Sequence, residues 1–285
     1  MKIGIVTDST ADINPDFFAL RENVVMVPLT VHFGTEVYKD WTEMPPDRFF
    51  PKMVESVAAQ ILPKTSQPPA GDFAAVYKDL AKTCDHIISI HISSKLSGTM
   101  QSAKSAVGML KDPAITLVDS EVASVLLGAI VIRLVEKRDA GASLEELIRF
   151  TNEAKEWGKI FFSVETLKYL EKGGRIGKAQ AMLGSLLNVK PILTLEDGVV
   201  APKSKASGVT KAMKEIARLL KEEIARRPAG METRISIGSA YSPATLAKLE
   251  TALREEGIDL PVQKTEIGSV IGVYVGPGAF FAAIL

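Results

Sequence analysis

Roughly the first 160 residues alternate between two hydrophobic patterns, and that alternation narrows the folds open to the chain more than any other feature. Residues 2–7, 24–33, 86–92 and 115–118 are rich in valine and isoleucine, and several are almost unbroken in apolar side chains. A strand covered on both faces reads this way, whereas a strand with one wet face alternates apolar with polar. Helical patterns lie between and after these runs, at 72–82, 99–111, 121–137 and 144–156. Strands alternating with helices predict an α/β unit, a mainly parallel sheet flanked by helices.

Beyond residue 158 the texture changes. A strand at 159–164 leads into a short helix at 165–171 that stops at Gly173-Gly174. Strands at 191–195 and 199–204 flank Glu196-Asp197-Gly198, an Asp-Gly hairpin signal. Two amphipathic helices follow at 211–226 and 243–256, the second capped by Ser242 with Pro243 at its first position. Further strands read at 234–238, 262–266 and 279–284, and 271–278 reads as a strand running into a Gly276-Pro277-Gly278 turn. Hairpins mixed with helices predict a smaller α+β domain with a mixed sheet. The expected division is an N-terminal α/β domain, 1–158, and a C-terminal α+β domain, 159–285.

Composition removes several function classes. Lys+Arg and Asp+Glu both number 34, so the basic excess of a nucleic-acid binder is missing. Cys84 stands alone, so no internal disulfide can form, which fits a reducing cytoplasm. The first residues read as a strand and a polar turn rather than a signal peptide. The longest apolar stretch, 122–134, is interrupted by Ser124 and Arg133 and is too short to span a bilayer. It reads as a buried helix, so a cytoplasmic chain without stable membrane insertion is expected.

Enzyme signatures fail one by one. The run from Gly173 to Lys178 is one residue short of a phosphate-binding loop, and Ala179 stands where a hydroxyl is needed. No nucleophile elbow occurs. His32, His86, His91 and Cys84 have no metal-ligand spacing. No metal or resident cofactor is expected.

Parallel sheets collect ligands beyond the carboxyl ends of their strands. Two segments follow strands in that way, Asp8-Ser9-Thr10-Ala11-Asp12 and Ser93-Ser94-Lys95-Leu96-Ser97-Gly98-Thr99. A helix begins near Ser97, whose hydroxyl fits two roles equally: a helix cap, or part of an anion site that uses the free N–H groups and the helix dipole. Gly98 lets a ligand approach the backbone. Thr65-Ser66-Gln67-Pro68-Pro69 is a second hydroxyl-rich turn, explicable on its own as a loop ahead of a helix. Arg175 reads as the exposed tip of a glycine turn, with a guanidinium suited to carboxylate or phosphate. An alternative reading makes Asp8 or Asp12 the acid or base of an enzyme acting on a small anionic or phosphorylated substrate.

Taken in order, the segments Asp8-Ser-Thr-Ala-Asp12, Thr65-Ser-Gln-Pro68, Ser93-Ser-Lys-Leu-Ser-Gly-Thr99, Tyr169-Leu-Glu-Lys-Gly-Gly-Arg-Ile176, Asn188-Val-Lys-Pro-Ile192 and Gly276-Pro-Gly278 span almost the whole chain. The set resembles the DegV family, the bacterial fatty-acid-binding proteins, some of which act as the acyl-carrying subunit of fatty acid kinase. The resemblance implies a two-domain fold that buries the tail of a long-chain fatty acid, such as hexadecanoate. It implies that Thr65 and Ser97 hold the carboxylate, with Ser66, Gly98 and Tyr274 as further head-group contacts. It also implies that Arg175 lies near the surface met by the ATP-binding catalytic subunit of the kinase. The chain would be a lipid-binding protein that does not catalyse alone. One position departs from the pattern: family members commonly carry a histidine where this chain has Tyr274. A phenol donates a hydrogen bond but does not become cationic near neutral pH, so the head group is held less by charge. The apolar run 181–187 is a candidate for the tail's lining.

Overall fold

The computed structural model describes residues 1–111, 113–183 and 189–285. Asn188 and residues 184–187 of the candidate lining therefore lie outside the described residues. Four parallel strands form the first sheet, in the order Val24–Val27, Ile3–Asp8, His86–His91, Ile115–Asp119. Successive side chains on a strand face opposite ways. In the Ile3–Asp8 strand, Ile5 and Val6 are both fully buried, so both faces are covered. Val6 packs with Phe73, Tyr77, Ala103 and Ala106 from the helices Ala70–Leu80 and Thr99–Val107. Ile5 belongs to the main core with the helix Ser124–Asp139. The unbroken apolar runs of the sequence have this cause.

The second sheet has six strands, in the order Val199–Ala206, Lys190–Glu196, Lys159–Ser163, Phe280–Ile284, Ile235–Ser239, Val262–Glu266. Its pairings are antiparallel except the last, which is parallel. The expected hairpin is present: Asp197 and Gly198 have φ of 51° and 75°, the left-handed pair that matches strand twist. One face packs on the helices Val209–Arg226 and Pro243–Glu255 through residues such as Phe161, Ile216, Ile237 and Leu253. The other face sends Phe162, Leu193 and Phe281 into the same core cluster that contains Ile5 and Leu126. The mixed α/β architecture follows: a helix-flanked parallel sheet and a separate mixed sheet meet across shared apolar packing. Among the described residues, no helix is long and apolar enough to cross a membrane.

Three expectations need correction. The run 24–33 is not one strand. Pro28, which has no N–H to donate, separates Val24–Val27 from Thr30–Phe33, and the latter joins a small antiparallel sheet with Glu36–Lys39 and Lys64–Ser66. Thr65 therefore sits on a short strand, opposite Val31, and not in a turn. Residues 271–278 are not a strand: Ser269–Val275 is a helix that ends at Gly276. A helix at Pro46–Ala58, begun on Pro45-Pro46 and containing Pro51, has no counterpart in the sequence reading.

Candidate functional site

A cavity of about 300 Å³ lies between the two large sheets, at the lower end of the roughly 300–1,000 Å³ of small-molecule pockets. Ile92 and Ala123 reach it from beyond the carboxyl ends of the parallel strands, the position expected of a ligand site in such a sheet. Ile160, Phe162 and Phe281 reach it from the inner face of the mixed sheet. Phe162 and Phe281 lie opposite each other on paired strands, stacked with centroids 5.2 Å apart. Val270, Ile271 and Val275 of the Ser269–Val275 helix complete an apolar wall.

Polar side chains gather where three segments meet. Thr65 Oγ1 lies 2.6 Å from the phenol oxygen of Tyr274. The Arg175 guanidinium carbon sits 5.2 Å from the Tyr274 ring centroid. Arg175 Nε donates to the Leu96 carbonyl at 3.0 Å, and Nη1 donates to the Gly173 carbonyl at 2.8 Å. Arg175 is thus half-buried, not the exposed tip that the glycine turn suggested. Among the described residues lining the cavity it is the one that carries charge.

Ser97 stands two residues ahead of the helix Thr99–Val107. Its Oγ accepts the Thr99 N–H at 3.3 Å and lies 2.9 Å from Thr99 Oγ1. Gly98, not Ser97, occupies the cap position. A Cβ on Gly98 would fall 1.9 Å from the Gln67 Oε1, so the Gln67 amide lies over the bare Gly98 backbone and would have to swing aside for any larger residue. Gln67 Nε2 also donates to Ser102 Oγ at 2.8 Å, which fastens the segment just after the Thr65 strand to the helix Thr99–Val107 that follows Ser97.

The opposite sheet holds that loop from the other side. Ser93 Oγ donates to the Gly198 carbonyl at 2.7 Å and Lys95 Nζ to the Asp197 carbonyl at 2.7 Å, both in the hairpin turn. Thr65, Ser66, Ser97, Gly98, Tyr274 and Arg175 therefore share one cavity wall, although they come from four separate stretches of chain. Gln67 and Ser124 line it too and were not singled out by sequence. Gln67 lies within a quoted segment and was findable there. Ser124 opens an apolar helix and gave no signal.

Asp8 and Asp12 are not among the cavity's lining residues. Asp8 accepts hydrogen bonds from Thr10 N–H at 3.1 Å and Ile92 N–H at 3.0 Å and shares one of 3.1 Å with His91 Nδ1. Asp12 accepts from Ser124 Oγ at 2.6 Å and Gly268 N–H at 2.9 Å. Asp40 accepts from the N–H and Oγ of Ser269, at 2.8 and 2.6 Å. Asp12 and Asp40 thus hold the start of the helix that carries Tyr274. Burial pushes the Asp12 carboxyl well above its ordinary range, with the Asp40 charge adding to the effect. Burial likewise pushes Asp40 up to about 6, against hydrogen bonds from Ser269 and Val270 that lower it. With their partners inside the fold, Asp8 and Asp12 are joints of the structure, and the acid–base alternative loses its geometric basis.

The sequence profile of the DegV family matches residues 2–285. A Bacillus subtilis relative, Protein DegV, is 35% identical over 280 residues, covering 98% of this chain and 97% of its own. A DegV family protein from Thermus thermophilus, described as fatty acid binding, superposes with a TM-score of 0.92 at 36% identity, covering 100% of this chain and 99% of its own. The crystal structure of Bacillus subtilis DegV, described as a fatty acid binding protein, gives a TM-score of 0.86 at 34% identity, covering 100% of this chain and 99% of the other.

Proposed function

Because the chain belongs to the DegV family, we propose that it binds a long-chain fatty acid, with the tail in the cavity between the sheets and the carboxylate at Thr65, Ser97 and Tyr274. The observation that carries this reading is the cavity itself: apolar walls from both sheets, lined as well by the hydroxyls of Thr65, Ser66, Ser97, Ser124 and Tyr274 and by one cation, Arg175. Each buried methylene contributes roughly 0.8 kcal/mol, so a long tail supplies on the order of 10 kcal/mol before ordering costs. A buried carboxylate is costly unless its oxygens are hydrogen-bonded. Each bond to the charged group is worth about 1.5–3 kcal/mol. The tail then sets affinity and the hydroxyls set orientation, with Ser66 and Gly98 alongside. Residues 1–158 supply the Thr65 and Ser97 segments, and residues 159–285 supply Tyr274, Arg175 and the stacked phenylalanines.

Arg175 has a double part in this reading. It gives the head group the positive charge that Tyr274 lacks, and it marks the side from which a partner reaches the carboxylate. That partner is the ATP-binding subunit of a fatty acid kinase, and the product an acyl phosphate. A carboxylate oxygen bonds to the γ-phosphorus of ATP, and ADP leaves. The chain itself acts as a cytoplasmic carrier of a cargo such as hexadecanoate.

Mass spectrometry of organic extracts from the purified protein tests the binding. A bound acyl chain, or stoichiometric uptake of added tetradecanoic to octadecanoic acids, is the expected result. No acyl ligand and no uptake would overturn it. Incubation with ATP, magnesium and a kinase subunit, with hydroxylamine to trap acyl phosphate, tests the second step separately.

A further inference from the structure

A second cavity, of about 280 Å³, shares no lining residue with the first. The helix Ser124–Asp139 reaches from one to the other, with Ser124 lining the first and Arg133 and Lys137 the second. At 1.5 Å per residue, Ser124 and Lys137 lie roughly 20 Å apart along its axis. Trp157, just before the strand that sends Ile160 and Phe162 into the first cavity, lines the second. Phe150, Arg227, Glu232 and Arg234 stand with it.

The charges around this cavity do not cancel evenly. Arg133 and Arg234 both bridge Glu136, at 3.0 and 2.7 Å. Both also bridge Glu232, Arg234 at 2.9 Å. Those four side chains form a closed ring of alternating sign. Glu153 has its own partner in Arg149, at 3.9 Å. Lys137 and Arg227 remain, neither with an ion pair among the described residues. The Lys137 ammonium sits 5.2 Å from the Phe150 ring centroid. Arg227 donates Nη2 to the Trp157 carbonyl at 2.9 Å and Nη1 to the Glu232 carbonyl at 3.4 Å. Its Nε is buried with no acceptor. Burial holds the guanidinium below its usual range, against the nearby Glu223 charge, which raises it. The planar fork of guanidinium N–H donors suits an oxyanion, and Phe150 and Trp157 line the same cavity.

We infer that this cavity binds a small aromatic oxyanion, a flat ring bearing a carboxylate or a phosphate, whose oxygens meet the Lys137 ammonium and the Arg227 guanidinium while the ring lies against Phe150 and Trp157. The inference does not depend on fatty-acid binding.

Trp157 provides the readout. The chain has two tryptophans, and the other, Trp41, is buried and lines neither cavity. Full-length protein is titrated with salicylate, with adenosine monophosphate and with inorganic phosphate, by calorimetry and by tryptophan fluorescence. Saturable binding of salicylate or adenosine monophosphate with quenching is expected, and the preference between them identifies the oxyanion. Trp157→Phe should abolish the quench but not the heat. Lys137→Ala should weaken binding about tenfold, the loss of one charge-assisted hydrogen bond, and Arg227→Gln should do the same. Lys137 is half-buried on a helix surface, so its variant keeps the test alive if Arg227→Gln does not fold. Three outcomes overturn the inference: no binding of either probe at millimolar concentration, binding that Lys137→Ala leaves unchanged, or inorganic phosphate binding as tightly as the aromatic probes.

Discussion

Tyr274 and Thr65 approach to 2.6 Å, so one hydroxyl already donates to the other before any ligand arrives. A carboxylate at this point receives the hydrogen left over, and the pair orients as a unit. Tyr274→Phe should therefore lower fatty-acid affinity by a net hydrogen bond, about 0.5–1.5 kcal/mol, with the fold intact. Displacement of a fluorescent fatty acid measures it, and unchanged affinity would remove Tyr274 from the head-group site. The double change Thr65→Val with Ser97→Ala takes away two donors to a charged group and should cost more, about 1.5–3 kcal/mol each. Asp40 offers a test of another kind. Its pKa rises from 3.8 to about 6 on folding, because burial disfavours the charge. Between those values the unfolded chain has lost a proton that the folded chain keeps. The stability this group contributes is therefore full below about pH 4 and is lost as pH climbs through about 6. Asp40→Asn cannot ionise. Relative to the unaltered protein it should gain up to about 3 kcal/mol between pH 4 and pH 7. Urea melts at the two pH values check this, and a difference that stays constant would refute it.

The helix Ser269–Val275 shows where local reading stops. Val270, Ile271, Val273 and Val275 are β-branched, and such residues favour strands. Distant groups overrule them: Asp12 and Asp40 accept the N–H groups of Gly268 and Ser269, partners more than two hundred residues away in sequence. A cap supplied from so far away leaves no local pattern. The sequence was legible where the signal was short-range. Apolar runs gave the parallel strands, and Asp197-Gly198 gave the hairpin. The small sheet was not legible, because its Glu36–Lys39 strand is largely exposed and has no hydrophobic period. Membership of the cavity lining was partly legible, since the ordered family segments pointed to Thr65, Ser97 and Tyr274, whereas the apolar wall looked like ordinary core. The glycines near Tyr274 carry a further message. A Cβ on Gly173 would lie 2.4 Å from the Tyr274 ring, and one on Gly276 would lie 2.4 Å from the Tyr169 ring. Each tyrosine thus lies on a bare stretch of the other segment's backbone. Gly173→Ala should displace the Tyr274 ring, destabilise the protein by about 1–3 kcal/mol through overpacking, and weaken fatty-acid binding at the same time. Thermal melts and the displacement assay test both effects. Loss of stability with unchanged affinity would separate the interlock from the site.

At the scale of the whole molecule, the two sheets do not own separate cores where the cavity lies. One buried cluster takes Ile5, Ile88 and Leu126 from the first half and Phe162, Leu193 and Phe281 from the second. The mixed sheet keeps a second cluster for its outer helices, and the parallel sheet keeps a third. A ligand tail between the sheets would therefore add apolar contact to the one cluster that both halves share. Two consequences follow. Breaking that cluster exposes both inner faces at once, so heat unfolding should occur as one cooperative transition. A ligand bound only by the folded state stabilises it by RT ln(1 + [L]/Kd), about 2.7 kcal/mol at a hundredfold excess over Kd. Protein stripped of lipid should accordingly melt several degrees below protein reloaded with hexadecanoate, and the shift should grow with the logarithm of ligand concentration. Differential scanning calorimetry on stripped and reloaded samples decides the matter. Two separated transitions, of which only one moves with ligand, would show that the shared cluster does not couple the halves. A melting temperature indifferent to hexadecanoate would remove the tail from the cavity between the sheets.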